Sequence, residues 1–214
     1  MVGVIKGLEP GKRPALLISE CQRGILDPSL TTLPGLAQQV AERGVLHRIA
    51  QLAAVCRAHD IPVFHVHIGH LPGMVGCAIS SPLMAMSRRS GGLVAGTPVA
   101  EVMPEVAPQA GDIVCSRKAG LAMWYGTDLD SLLRNCGVRT LLMTGVSSNI
   151  ALFGGTLGGV DRGYQVVIPE DATAGTTPDS HRIMIETTYP VLASITTTAD
   201  VIAAISANAA NSVQ

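Results

Sequence analysis

Residues 140–155, TLLMTGVSSNIALFGG, decide the fold of this 214-residue chain. Leu141, Leu142 and Met143 form an apolar run that breaks at Thr144-Gly145, and after Ser147-Ser148-Asn149 the residues suit only a helix. A buried strand that turns straight into a helix N-terminus belongs to an open parallel sheet, where such turns sit at the carboxyl ends of strands. Ligands bind at those ends, and the unpaired N–H groups of the helix can hold an anion or an oxyanion.

Working outward, short apolar runs predict strands at 14–20, 61–68, 112–115, 138–143, 164–169 and 192–196. Between them fall helices. Apolar residues at helical spacing (Leu36, Val40, Val45, Ile49, Leu52, Val55) predict one long amphipathic helix over 35–59. Thr127, Asp128 and Asp130 open a short helix over 127–135 that Gly137 stops. Further helices are expected from the 147–149 turn to Arg162, over 178–188 and over 199–207. Strands alternating with helices predict a three-layer α/β/α fold with a mainly parallel six-stranded sheet and a single domain over 1–214.

Two stretches lie outside this alternation. Residues 1–13 read as an irregular leader. Residues 69–111 are rich in Gly, Pro, Ser and Met, with a short helix at 82–88 and an irregular piece at 97–108. A long excursion of that kind is expected to be a functional cover: an active-site rim or an oligomer contact.

Composition narrows the function. Hydrophobic residues make up 47% and charged residues 14%, too little polar surface to cover a monomer, so a homodimer or homotetramer is expected. A net charge of -1, no basic block and 3% aromatics argue against nucleic acid as a partner. No apolar run approaches the roughly 18 residues of a membrane span, and 1–12 has no signal-peptide core, so a cytoplasmic protein is expected. Five cysteines (Cys21, Cys56, Cys77, Cys115, Cys136), odd in number and without a CxxC pair, read as reduced core thiols.

The segment 144–175, TGVSSNIALFGGTLGGVDRGYQVVIPEDATAG, resembles the signature of the isochorismatase-like, or cysteine hydrolase, superfamily. Its order is strand, Gly-Val, short polar turn, nucleophile, helix, Arg-Gly-Tyr, strand, Asp-Ala. The resemblance implies a Rossmann-like hydrolase fold, a small-molecule substrate and three catalytic positions. Most members carry a nucleophilic cysteine where this chain has Ala151. The superfamily's strand-one motif falls on 17–22, so that Glu20 stands for the acid/base aspartate and Gln22 follows it. In CSRKAGLAMWYGTDLD (115–130) the resemblance places the superfamily's lysine at Lys118. It also implies a cis bond between Val146 and Ser147, and a pocket bordered by Gln22, Trp124, Val146, Ser147, Asn149 and Ile150.

Physical chemistry supports that arrangement. A carboxylate beside an ammonium group can hold or pass a proton, and the N–H groups of Ile150 and Ala151 can stabilise an oxyanion. An alanine methyl group attacks nothing, which closes the thioester route. Three readings follow. The first is acid–base hydrolysis of an enol ether, ether, amide or lactam bond in a small polar metabolite without a covalent step; the isochorismatases, which have glycine at the nucleophile position, work that way. The second is a cysteine amidohydrolase inactivated by Cys-to-Ala at 151. The third is a non-catalytic binding or assembly protein. The first is the one adopted.

Other residues carry weaker expectations. His65 and His67 share one face of strand two, with His70 three residues on; the Asp-x-His of the superfamily's metal-binding members is absent, so no metal is expected, and no cofactor either. One of the three histidines is expected to line the pocket. Ser147 and Ser148 read as turn and cap residues, since no His-Asp pair stands near them in sequence. Asn149 either turns to the pocket or caps the helix, Trp124 and Tyr125 either wall the pocket or pack at an oligomer contact, and Asp171 belongs to a pocket rim or a loop turn. Gly154-Gly155 and Gly158-Gly159 read as close helix packing.

Overall fold

The computed structural model describes residues 5–211; residues 1–4 of the expected leader lie outside them. Alternation within the first strand, β1 (Pro14–Ser19), shows how the layers arise. Leu16 and Ile18 face one core, Ala15 and Leu17 the other, and all four are fully buried. A strand covered on both faces belongs in the middle of a sheet.

The remaining strands are β2 (Val63–Ile68), β3 (Ile113–Arg117), β4 (Thr140–Val146), β5 (Gln165–Pro169), β6 (Thr173–Ala174) and β7 (Ser194–Thr196). They form a seven-stranded sheet in the order β3-β2-β1-β4-β5-β7, with the two-residue β6 beside the end of β4. Every ladder between these strands is parallel. The sequence reading lacked β6, because two residues carry no periodicity of their own.

On one face lie α2 (Pro34–Glu42), α3 (Val45–Ala58) and α8 (Thr198–Asn211), which bury Leu36, Val40, Ile49, Leu52, Val201 and Ile205 against the sheet. On the other face α5 (Leu129–Asn135) and α6 (Ala151–Asp161) bury Leu129, Leu133 and Leu152. Short helices α1 (Arg23–Leu26), α4 (Pro82–Arg89) and α7 (Pro178–Ile183) sit at the carboxyl ends of strands or in the connections. Among the described residues no helix is long and apolar enough to cross a membrane.

Several elements differ from their sequence expectation. The helix expected over 35–59 is two, because Gly44 sits at φ +62, in the left-handed region that breaks a helix. The helix expected over 178–188 keeps α-geometry only to Ile183 and continues as a π-turn, Met184–Thr188. Strands β3 and β4 both run further than expected, to Arg117 and Val146, and so carry additional residues into the site.

Three glycines set how closely neighbouring elements approach. Gly145 has φ +95, and a Cβ there would stand 2.2 Å from the Ser19 carbonyl oxygen, so only glycine lets β4 approach β1 at its end. Gly155 and Gly159 let α6 lie close on Met143 and Leu141. The five cysteines are free thiols; burial pushes Cys21 and Cys56 up to about 12, while Cys77 and Cys136 are half-buried.

Candidate active site

Between β1 and β4 the strand order reverses, since β2 and β3 follow on one side while β5 and β7 extend on the other. Such a switch point opens a crevice at the carboxyl ends of the strands. A cavity of about 350 Å³ occupies it, bordered by Glu20, His70, Arg117, Ser147, Asn149 and Ala151 among others.

Glu20 is the first residue past β1 and has φ +52, a conformation that turns the chain sharply out of the strand. Its carboxyl Oε1 lies 2.6 Å from Nη2 of Arg117. The second oxygen, Oε2, has no partner among the described residues and is not sealed in. Burial raises the Glu20 pKa above its ordinary value, and the Arg117 guanidinium pulls it part of the way back. Arg117 also donates through Nε to the Gly120 carbonyl at 3.2 Å and is 2% exposed.

Lys118, the cation expected from the sequence, is exposed and does not border the cavity; its carbonyl accepts the Cys77 thiol at 3.1 Å. Strand parity is the reason. Along β3 the buried positions are Cys115 and Arg117, so the next residue faces away. Sequence reasoning ended the strand at Cys115; following the alternation two residues further would have found Arg117.

The turn after β4 carries the cis bond between Val146 and Ser147, and α6 begins at Ala151. Ile150 N–H donates to the Ser147 carbonyl at 3.2 Å and Leu152 N–H to the same oxygen at 3.1 Å. Of the two N–H groups expected to hold an oxyanion, that of Ile150 is thus already committed. The Ala151 N–H has no partner among the described residues, and Ala151 borders the cavity together with Val146, Ser147, Asn149 and Ile150. Asn149 neither caps α6 nor stands free: its Oδ1 accepts from the N–H and hydroxyl of Thr176, both at 3.3 Å.

Two expected pocket residues are committed elsewhere. Gln22 is fully buried and pins three backbone groups: its Nε2 donates to the carbonyls of Ile68 (2.7 Å) and Ala100 (2.8 Å), and its Oε1 accepts from Ile68 N–H (2.8 Å). Trp124 packs over α6, donating to the Gly155 carbonyl at 2.9 Å, stacked on Tyr164 at 6.1 Å and covered by Arg162 at 4.7 Å. Neither borders the cavity. Asp171 is not at the rim either; it accepts from the Thr198 N–H at 2.7 Å at the start of α8 and pairs with Arg48 at 3.1 Å.

Of the histidines, His70 borders the cavity, its Nδ1 accepting from Leu93 N–H at 3.2 Å. His65 meets Asp112 at 3.0 Å. Burial lowers the pKa of all three, that of His67 to about 4. Among the described residues no cluster of three or more His, Cys, Asp or Glu is placed to hold a metal ion.

Beneath the turn lies an arrangement that the sequence did not reveal. Ser148 Oγ meets His181 Nδ1 at 3.3 Å, and His181 Nε2 faces Glu170 Oε2 at 3.6 Å, an ion-pair distance rather than a hydrogen bond. Arg43 holds the same Glu170 oxygen at 2.6 Å. Ser148 is fully buried, outside the cavity lining, and its carbonyl accepts the Tyr189 hydroxyl. These contacts brace the turn from below; they do not present the serine to a substrate.

A buried carboxyl group and an open helix N-terminus thus both border the cavity at the switch point of a parallel three-layer fold, the place where such folds bind ligands. The chain belongs to the isochorismatase family of hydrolases: the Isochorismatase domain profile matches residues 14–200. It is 29% identical over 203 residues to the uncharacterized isochorismatase family protein YecD of Escherichia coli O157:H7, covering 91% of this chain and 97% of that one. It is 27% identical over 177 residues to the maleamate amidohydrolase of Pseudomonas putida, covering 80% and 76%. With the ureidoacrylate amidohydrolase RutB of Methylorubrum extorquens it shares 34% identity over 142 residues, which span 60% of this chain and 56% of that protein. Among solved structures, an isochorismatase family protein from Desulfovibrio vulgaris superposes with a TM-score of 0.79 at 26% identity, covering 92% of this chain and 100% of that one.

Proposed function

We propose that the chain hydrolyses a small metabolite by acid–base catalysis at Glu20, without a covalent enzyme intermediate. The observation that carries this reading is the Glu20 carboxyl group, with Oε1 on Arg117 and Oε2 unpartnered, bordering the same cavity as Ala151. Burial favours the protonated acid, which suits a proton donor. With an enol ether, Glu20 delivers its proton to the terminal vinyl carbon, water adds to the resulting oxocarbenium ion, and collapse of the hemiketal releases ketone and alcohol as a proton returns to Glu20. With an amide, ionised Glu20 takes a proton from the attacking water and passes it to the leaving nitrogen. In the amide route the Ala151 N–H supports the developing oxyanion. Arg117, rather than Lys118, is the cation that tunes the acid.

A second reading is favoured by the same position. Ala151 opens α6, borders the cavity and has an unused N–H, where a thiol would be both accessible and activated. The amidohydrolase names of two relatives agree with it. A homodimer or homotetramer remains part of the proposal, supported by exposed Val75, Ile183 and Val191.

A turnover screen against enol ethers, amides, lactams and ureides, read by mass spectrometry, separates the readings. Activity in the unmodified chain that disappears in Glu20→Gln supports the first. Activity confined to Ala151→Cys transfers the weight to the cysteine amidohydrolase, and silence in both and in the unmodified chain transfers it to binding or assembly.

A further inference from the structure

We infer that the substrate carries an uncharged aliphatic group, seated in the outer part of the cavity with its reacting end toward Glu20. This rests on the hydrolase reading above and adds the chemistry of the group next to the scissile bond. Much of the apolar lining comes from two segments far apart in sequence. Leu30, Leu33 and Leu36 lie along the approach to α2 and its first turn; Met84, Met86 and Leu93 come from α4 and the segment after it. Of these, Leu30, Leu33, Met86 and Leu93 are only half-buried, so apolar surface is left open to be covered.

What the lining lacks is equally specific. Glu20 and Arg117 are the only charged side chains bordering the cavity among the described residues, and they neutralise each other at 2.6 Å. Of the Arg117 nitrogens, Nη2 is on Glu20 and Nε on the Gly120 carbonyl, while Nη1, though without a partner among the described residues, is buried and presents no surface to the cavity. A carboxylate on the substrate would therefore lose its hydration without gaining a cationic partner. No Phe, Tyr or Trp borders the cavity, so a flat ring has nothing aromatic to stack on, whereas leucine and methionine side chains adapt to a flexible chain.

Calorimetric titration of the intact protein with straight-chain primary carboxamides, from acetamide to octanamide, tests the inference. Affinity is expected to rise about three- to fourfold per added methylene until the cavity is full. Hexanoate is expected to bind at least about tenfold more weakly than hexanamide, the loss that follows from an unpaired buried charge. Met86→Lys, which puts a cation at the mouth, should flatten the chain-length series and strengthen hexanoate; Leu33→Gln on the other segment should flatten the series alone. A flat series in the unmodified protein, or hexanoate binding as tightly as hexanamide, overturns the proposal. Repeating the titration on Glu20→Gln separates the two claims. A steep series there, with no turnover in any form of the protein, leaves the aliphatic site standing and removes the hydrolase.

Discussion

Arg117 Nη2 stands 2.6 Å from Glu20 Oε1, with side chains 2% and 10% exposed, at the floor of the cavity. A buried pair of this kind adds little net stability, because desolvation offsets the attraction, yet removing one partner strands the other charge. Burial has already raised the Glu20 pKa above 4.5, with Arg117 opposing. A carboxyl group whose folded pKa is raised binds more protons folded than unfolded, so between those two values stability falls as pH rises. Arg117→Met lifts the folded pKa further and widens that window. Urea unfolding should therefore show a small deficit for Arg117→Met near about pH 4, growing to about 3–5 kcal/mol near neutrality. A deficit independent of pH would mean that the pair is not what the substitution disturbs.

Glu20→Gln should lower kcat by at least about 10²-fold, since an amide cannot shuttle a proton. Its melting temperature should fall, because Gln leaves the buried Arg117 guanidinium without its countercharge. For enol-ether substrates the unmodified protein should lose activity as pH rises through the raised Glu20 pKa, the protonated form being the donor. An alkaline limb that persists in Glu20→Gln, measured on whatever activity remains, would assign it to another group.

Gln22 serves the backbone rather than the substrate. Gln22→Ala removes three hydrogen bonds of 2.7 to 2.8 Å and leaves Ile68 and Ala100 groups unpaired in a buried place. Chemical denaturation should show a loss of about 2–4 kcal/mol, with KM unchanged in the molecules that stay folded. A raised KM at unaltered stability would restore Gln22 to the substrate.

Ser148 has a histidine at 3.3 Å and a glutamate beyond it, yet it is sealed from the cavity. Ser148→Ala should keep turnover within about tenfold and cost about 1 kcal/mol of stability. Loss of turnover by three powers of ten or more, the scale expected on removing a nucleophile, would mean that the serine becomes exposed and attacks.

The layout of the chain was legible in its sequence because the signals are local. Apolar runs of strand length, helical spacing between them and breakers such as Gly137 announce their elements without reference to the rest of the molecule. The turn at 144–151 and the acid at the end of β1 were legible for the same reason, each lying where a strand stops. What failed were questions of direction. Arg117 and Lys118 are adjacent, and only the length of β3, set by its pairing with β2, decides which one points inward.

Trp124 stands next to the loop that borders the cavity, but the flat face presented by Gly155 and Gly158 draws it onto α6. His181 reaches Ser148 across 33 positions, and the aliphatic wall unites residues 30–36 with 84–93. The sequence by itself determined which elements form and in what order, since propensity and periodicity act over a few residues. Which side chains meet in the cavity was decided only by the tertiary structure, because strand register, parity and helix docking bring together residues that no local pattern relates.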